Sequence, residues 1–517
     1  MAQSDYDPIR PDFRYFVEGQ LTVLAEHPPG IDPERLAVLV KQELISRDDR
    51  LANIQIDPGR VQVFQSNYDT AQRAEHPNDF SLAFADILVD DETLLDVIDQ
   101  VDKRIAGQDT AHASDSSVIL QAVSPNWLAS PAYPRHIGTG GPGAKPVPYK
   151  PANGTSRAVE STLPYDFTIP MLANTKQRVA SEAVEVAILD TAPSPCALEK
   201  AYQYWAAEHS LLRELLGPQG VFALPNDQFS ITYADPAQMN PLNHPASYYG
   251  IAGHDYPMSD HGLFVAGIIH TIAPSAHLHL IQVLNDYGIG TLETISAGLN
   301  RLATRVSSLP LLVNLSLTLS LPLDPKHEHP KYKLNWQHLK QDKLFASRLT
   351  SMLEWICSHL HRRNAILVAA AGNDWHRRGP RPKARIPAGF DCVVGVGALN
   401  KLEPGQDPQV AAYSNLSDAP KRAGIITFGG NTSLQNTADQ EKGILGIYIG
   451  QFPNGQLSTN GWARWAGTSF STPVVSGVLA RLCAARIPPA DAVQAIYDAE
   501  PEPTKTSEQL LRVSQGA

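Results

Sequence analysis

The chain has 517 residues, 43% of them hydrophobic and 18% charged. That is enough apolar material for a large buried core, and it excludes a single small module or a mainly disordered chain. With 42 Lys and Arg against 53 Asp and Glu the formal charge is −11, which argues against nucleic acid or a membrane surface as partner.

Residues 1–19 carry Asp5, Asp7, Arg10, Asp12 and Arg14 before any apolar run, so no signal peptide is expected. No stretch of 18 apolar residues suggests a transmembrane helix. The first ~125 residues alternate in period. Residues 14–26 read as a strand and 32–45 as an amphipathic helix behind a proline. Two strands follow at 53–65 and 79–89, the first interrupted by Pro58-Gly59, then a helix at 91–105 and a strand at 116–123. The order strand, helix, strand, strand, helix, strand predicts a small α+β domain of the ferredoxin-like, split βαβ type over 14–125. Residues 126–165, rich in Pro, Gly and Ser, read as a linker. From about Val184 the apolar runs lose alternation (VEVAIL, HLHLIQVL, LPLLVNLSL, AILVAAA, CVVGVGAL). Such runs suit strands buried on both faces, hence a mostly parallel sheet with helices on both sides, an α/β domain over 166–500. Residues 192–256, with a helix at 197–216, and 321–350 read as surface insertions, and 501–517 as a surface tail. Cys196, Cys357, Cys392 and Cys483 lack the pairing of a zinc site or disulfide framework and read as reduced thiols. A cytoplasmic enzyme is the expectation.

Four segments carry chemistry. In VEVAILDTA an apolar strand ends at Asp190, where parallel sheets gather functional residues; taken alone, it reads first as a turn or N-cap aspartate. SDHGLFVAGII puts His261 at the start of a helix apolar on nearly every side. Asp260 is adjacent, but consecutive residues there point apart, so it is not the expected partner of the ring. WAGTSFSTPVVSGVLA places Ser469 at a helix N-terminus, where free N–H groups and the dipole favour developing negative charge. AILVAAAGND ends a buried strand at Gly372 and Asn373, whose amide can donate to an oxyanion.

Together, in the order Asp, His, Ser, these segments resemble the subtilisin-like serine proteases, the subtilase family, over roughly 184–485. The resemblance implies a Ser-His-Asp endopeptidase acting through an acyl-enzyme. Asp190 would orient the ring, His261 act as base then acid, Ser469 attack, and Asn373 with the Ser469 N–H form the oxyanion hole. VNLSL resembles the substrate-binding edge strand, so Ser316, Leu317 and Thr318, with Ala371 and Gly372, become candidate substrate contacts. Ala192 stands where the family usually has glycine, Phe264 replaces the common second histidine, and Thr318-Leu319 replace expected glycines beside the cleft.

The N-terminal domain resembles the family propeptide, whose last strand lies in the cleft, here near 123–133; a partner-recognition domain, hence a regulatory protein partner, is the other reading. A protein or peptide is the expected substrate. A catalytically silent scaffold or binding module is the rival reading of the whole chain. No cofactor or metal ligand set is evident; calcium held by loop oxygens stays open. The basic stretch after Asn373 suggests that Arg385 lines the pocket for the residue before the cut and prefers Asp or Glu there, whereas Asp374 pulls toward basic residues.

Overall fold

A computed structural model describes residues 16–65, 78–107, 118–131, 144–150, 165–177, 183–239, 242, 244, 256–304, 309–319, 343–375, 379–402, 406–433, 437–499 and 507–515. The N-terminal elements are β1 (Phe16–His27), α1 (Pro33–Arg47), β2 (Gln55–Phe64), β3 (Asp79–Asp86), α2 (Asp91–Ala106) and β4 (Ile119–Pro131). Each helix starts where its sequence supplies a cap: Asp32 accepts from the Arg35 N–H and Asp90 from the Thr93 N–H, both at 2.8 Å. The strands pair antiparallel in the order β4-β1-β3-β2. Pro58-Gly59 makes an irregularity inside β2, where the register shifts between Ile56 and Val61.

The second part is built on β5 (Glu185–Asp190), α3 (Pro195–Trp205), α4 (Ser210–Leu216), β6 (Phe229–Thr232), α5 (His261–Ile272), β7 (His277–Gln282), β8 (Gly290–Thr291) and α6 (Leu292–Thr304). There follow β9 (Leu311–Leu315), β10 (Leu317–Leu319), α7 (Lys343–Arg362), β11 (Ile366–Ala370), β12 (Val393–Leu399) and β13 (Ile425–Phe428). The chain closes with β14 (Ile444–Ile447), β15 (Trp462–Trp465), α8 (Thr468–Ala484), α9 (Pro489–Ala499) and β16 (Gln509–Leu510). Eight strands form one parallel sheet in the order β16-β13-β12-β11-β9-β5-β7-β6. Its unalternating runs follow from burial on both faces. Val186 and Ile188 of β5 join one core with α5 and α8, while Ala187 and Leu189 join another with α6 and α7. This second core continues without a break into the N-terminal unit, taking in Leu36, Val61, Phe84 and Val123.

Three boundaries differ from the sequence reading. The strand expected to end at 123 runs on to Pro131, so the start of the supposed linker is regular structure; prolines at 125 and 131 remove donors without breaking an extended chain. Within that linker Val147–Pro148 also pairs with β15, while 132–143 and 151–164 lie outside the described residues. Of the supposed tail, residues 507–515 are described and packed: β16 extends the sheet, Leu510, Leu511 and Val513 are buried, and the Glu508 carboxylate, fully buried, pairs with Arg381. The 192–256 insertion supplies β6 to the sheet, and its expected single helix is two, broken before His209, which caps α4 by accepting from the Leu212 N–H at 3.1 Å.

Candidate active site

β5 ends at Asp190 and α5 begins at His261, and the two junctions are clamped by Thr191. Its hydroxyl donates to the carbonyls of Met258 (2.9 Å) and Ser259 (3.0 Å) and accepts from the Gly262 N–H at 3.1 Å. A Cβ on Gly262 would lie 2.1 Å from the Thr191 carbonyl oxygen, so only glycine lets helix and strand approach this closely. The result is a hydrogen bond of 2.7 Å between His261 Nδ1 and Asp190 Oδ1, with both residues buried. Oδ1 also accepts from the Thr191 N–H at 2.7 Å. Two aromatic rings flank the imidazole: Trp465, perpendicular at 5.3 Å between centroids, and Phe470 at 5.2 Å. Neither was singled out from sequence. Phe264, in place of the family's usual second histidine, packs against the same two rings at 5.6 and 4.9 Å.

Asp260 turns away from the ring, as its position at the helix start predicts. Its Oδ2 accepts from the N–H groups of Ile449 (3.2 Å) and Gly450 (2.5 Å), tying α5 to the loop between β14 and β15. Burial pushes this carboxyl up to about 7, against the lowering effect of the two N–H donors.

Ser469 lies in the first turn of α8, 3% exposed, where backbone N–H groups have no intrahelical acceptor. Its hydroxyl donates to the Ser316 carbonyl at 3.1 Å, and the Ser316 hydroxyl donates to the Ser469 carbonyl at 2.9 Å. Asn314 Nδ2 fixes the Ser316 hydroxyl from the other side at 3.0 Å. Asn373 Oδ1 accepts from the Thr468 N–H at 2.9 Å, which sets the amide's orientation and leaves Nδ2 as its donor end. The turn carrying it is held by Gly372, whose φ of +106° suits only glycine. Asp190, His261, Asn373, Ser469 and Ser316 thus converge at the carboxyl ends of β5, β9 and β11 and the start of two helices.

Leu317 and Thr318 lie in β10, whose exposed edge is taken by β4. Leu317 pairs with Pro131, Thr318 with Ser130 and Leu319 with Ala129. On its other edge β4 pairs with β8, Gly290 with Ala129 and Thr291 with Leu128. Ala371 accepts the Arg385 N–H at 2.9 Å, and the Arg385 side chain runs beside Gly372. Its charge is already spent: Nε and Nη2 clasp the two oxygens of Asp374, with Nε at 2.7 Å, and the residue is 3% exposed. Asn415 Nδ2 donates to the same carboxylate at 2.7 Å. In the chain as it stands the Arg385 guanidinium thus faces Asp374, and each of the two opposed charges satisfies the other. Arg377 and Arg378 lie outside the described residues.

The model of the subtilase family matches residues 181–499. The chain belongs to the subtilase family. As a subtilase it is a serine-protease hydrolase. Against the curated proteins the chain has no match. Among solved structures, the subtilase resembles a chain of the subtilase cytotoxin SubAB assembly, at 16% identity over 68% of this chain and 93% of that one, with a TM-score of 0.40. It also resembles the prenylagaramide maturation protease PagA, at 19% identity over 66% and 96%, TM-score 0.38. A lanthipeptide protease matches at 18% identity over 60% and 77%, TM-score 0.36.

Proposed function

We propose that this subtilase cleaves peptide bonds through Asp190, His261 and Ser469, with Asn373 as oxyanion donor, and that its N-terminal unit keeps it latent. The observation that carries the catalytic reading is the buried 2.7 Å contact of His261 Nδ1 with Asp190 beside a serine at a helix start. Asp190 accepts a hydrogen bond from Nδ1–H, which leaves Nε2 with its lone pair as the base. A turn about the Ser469 Cα–Cβ bond exchanges the Ser316 carbonyl for that lone pair. As Oγ attacks the scissile carbonyl carbon, its proton passes to Nε2 and the carbonyl electrons move onto oxygen. The Asn373 amide and the start of α8 oppose that charge. Nε2–H then protonates the leaving amine, the C–N bond breaks, and the acyl group stays on Ser469. Water, deprotonated by the same nitrogen, attacks the ester and regenerates the hydroxyl.

The substrate is a protein or peptide lying along Ser316, Leu317 and Thr318, with Ala371 and Gly372 on the opposite wall. For the N-terminal unit we favour the propeptide-like reading over partner recognition. Its βαββαβ order and β4-β1-β3-β2 sheet support a ferredoxin-like domain, and the pairing of β4 with β10 supports a cleft filled by the chain's own strand. That filling favours a latent protease over a silent scaffold. We assign it to the cytoplasm, a reading supported by four free thiols.

Labelling the full-length protein with a fluorophosphonate probe tests the reading. Label should appear on Ser469, vanish in Ser469→Ala and fall steeply in His261→Ala. A folded protein that takes no label in any form removes the protease mechanism and leaves the scaffold.

A further inference from the structure

The strand lying in the cleft is itself a specimen of what the cleft accommodates. Chain direction matters first. Because Leu317 pairs with Pro131, the next residue of any polypeptide lying the same way faces Ser316, whose carbonyl receives the Ser469 hydroxyl. The strand therefore occupies the acyl side, and counting back from the residue that faces Ser316, Ala129 holds the fourth place and Ser130 the third.

Ala129 is the residue paired on both edges, with Leu319 on one side and Gly290 on the other. It has no exposed surface, and Ser130 is 4% exposed. On the Gly290 side there is no room for a side chain, since a Cβ on Gly290 would meet the Val283 carbonyl oxygen at 2.4 Å and Leu284 Cδ2 at 2.7 Å. The other wall is Leu319, itself anchored by its N–H to the Ile386 carbonyl at 2.9 Å. Leu284, Ile289, Leu292, Leu317 and Leu319 fill the same core as Ala129. A close-packed interior at native density rejects added methylenes. Main-chain pairing with two strands gives such a site affinity for any extended chain, and side-chain volume then decides which chain stays.

Building on the protease reading, we propose that the cleft selects extended polypeptide segments with a small side chain, Ala, Ser or Gly, at the fourth residue on the acyl side, and a second small residue at the third. The place Ala129 holds is thus a specificity-determining position.

Two arms on the full-length chain test this. In the first, fluorophosphonate labelling rates are compared for wild type, Ala129→Ser and Ala129→Trp, with Ser469→Ala as blank and a thermal melt to verify folding. A folded Ala129→Trp chain should label at least tenfold faster than the other two, because its strand no longer seats; equal rates overturn the proposal. In the second, whichever form labels fastest digests a proteome-derived peptide library, and cut sites are read by mass spectrometry. This arm stands whether or not Ala129→Trp folds. Small residues should be enriched about tenfold over Phe, Trp and Leu at the fourth position before the cut. Enrichment of large residues there, no preference, or no cuts by a chain that labels at Ser469 overturns the proposal and leaves the protease reading intact. Absence of label in every folded form ends both.

Discussion

At the scale of single residues, the site separates charges that act from charges that only hold. Replacing Ser469 or His261 with alanine should lower kcat by about 10⁶, the loss found when the serine or histidine of the subtilisin triad is removed, and Asn373→Ala should cost about 10²–10³; steady-state hydrolysis of one peptide by all three variants checks the ranking. Arg385 belongs to the other class. Arg385→Ala leaves the Asp374 carboxylate buried with its cation gone, so urea denaturation should show a loss of about 3–5 kcal/mol. Peptides with Glu or Leu before the cut should suffer alike, whereas a loss confined to Glu would restore Arg385 to the pocket. Asp260 gives a pH signature. Its carboxyl sits at about 7 in the folded chain against an ordinary 3.8, so between those values the folded state holds the extra proton. Stability from this group is therefore lost as pH rises through that window. Asp260→Asn, which keeps the acceptor for Ile449 and Gly450, should melt at the same temperature as wild type near pH 4 and several degrees higher at pH 8.

At the scale of elements, catalytic geometry is a matter of how closely a helix can approach a strand. Gly262→Ala puts a methyl 2.1 Å from the Thr191 carbonyl oxygen, which forces α5 away from β5 and stretches the His261–Asp190 bond. We expect a lower melting temperature together with a fall in kcat at nearly unchanged KM, measurable on one peptide. The residues at such junctions were legible in the sequence because each closes or opens a local apolar element, Asp190 after a strand and His261 and Ser469 at a helix start, and apolar runs without alternation announce strands covered on both faces. What was illegible involved partners distant in sequence. That β4 runs on as a regular strand to Pro131 rests on pairing with Gly290 and Thr318; the resemblance to a propeptide pointed to the cleft, but the prolines and serine of this stretch look like linker composition. The neutralisation of Arg385 depends on which acid in a mixed stretch folds back onto it. His209, which divides α3 from α4, stacks on Trp462 at 4.0 Å, a partner that no local pattern names.

At the scale of the whole molecule, the N-terminal unit and the catalytic part share one core and are pinned by a half-buried fork that closes on the buried Glu293. Arg60 binds both oxygens of Glu293 at 2.8 Å and Asp86 at 2.8 Å, while Asn126 Oδ1 accepts from the Glu293 N–H at 3.2 Å. Phe64 and Phe80 rest on Trp355 of α7, at 5.4 and 4.5 Å between centroids. Arg60→Ala should strand Glu293, reduce stability by about 3–5 kcal/mol, and raise the fluorophosphonate labelling rate as the unit's hold on the cleft loosens. A slower or unchanged rate would mean that the fork does not govern access. The strand that fills the cleft is also the strand that closes the N-terminal sheet, a single run of 13 residues. Residues 128–131 and 119–125 thus belong to one strand, held by the catalytic part at one end and by β1 at the other. If the unit keeps the protease latent as proposed, opening of the wild-type cleft is tied to the lifetime of a whole folded unit, and peptide hydrolysis by the full-length chain should start after a lag.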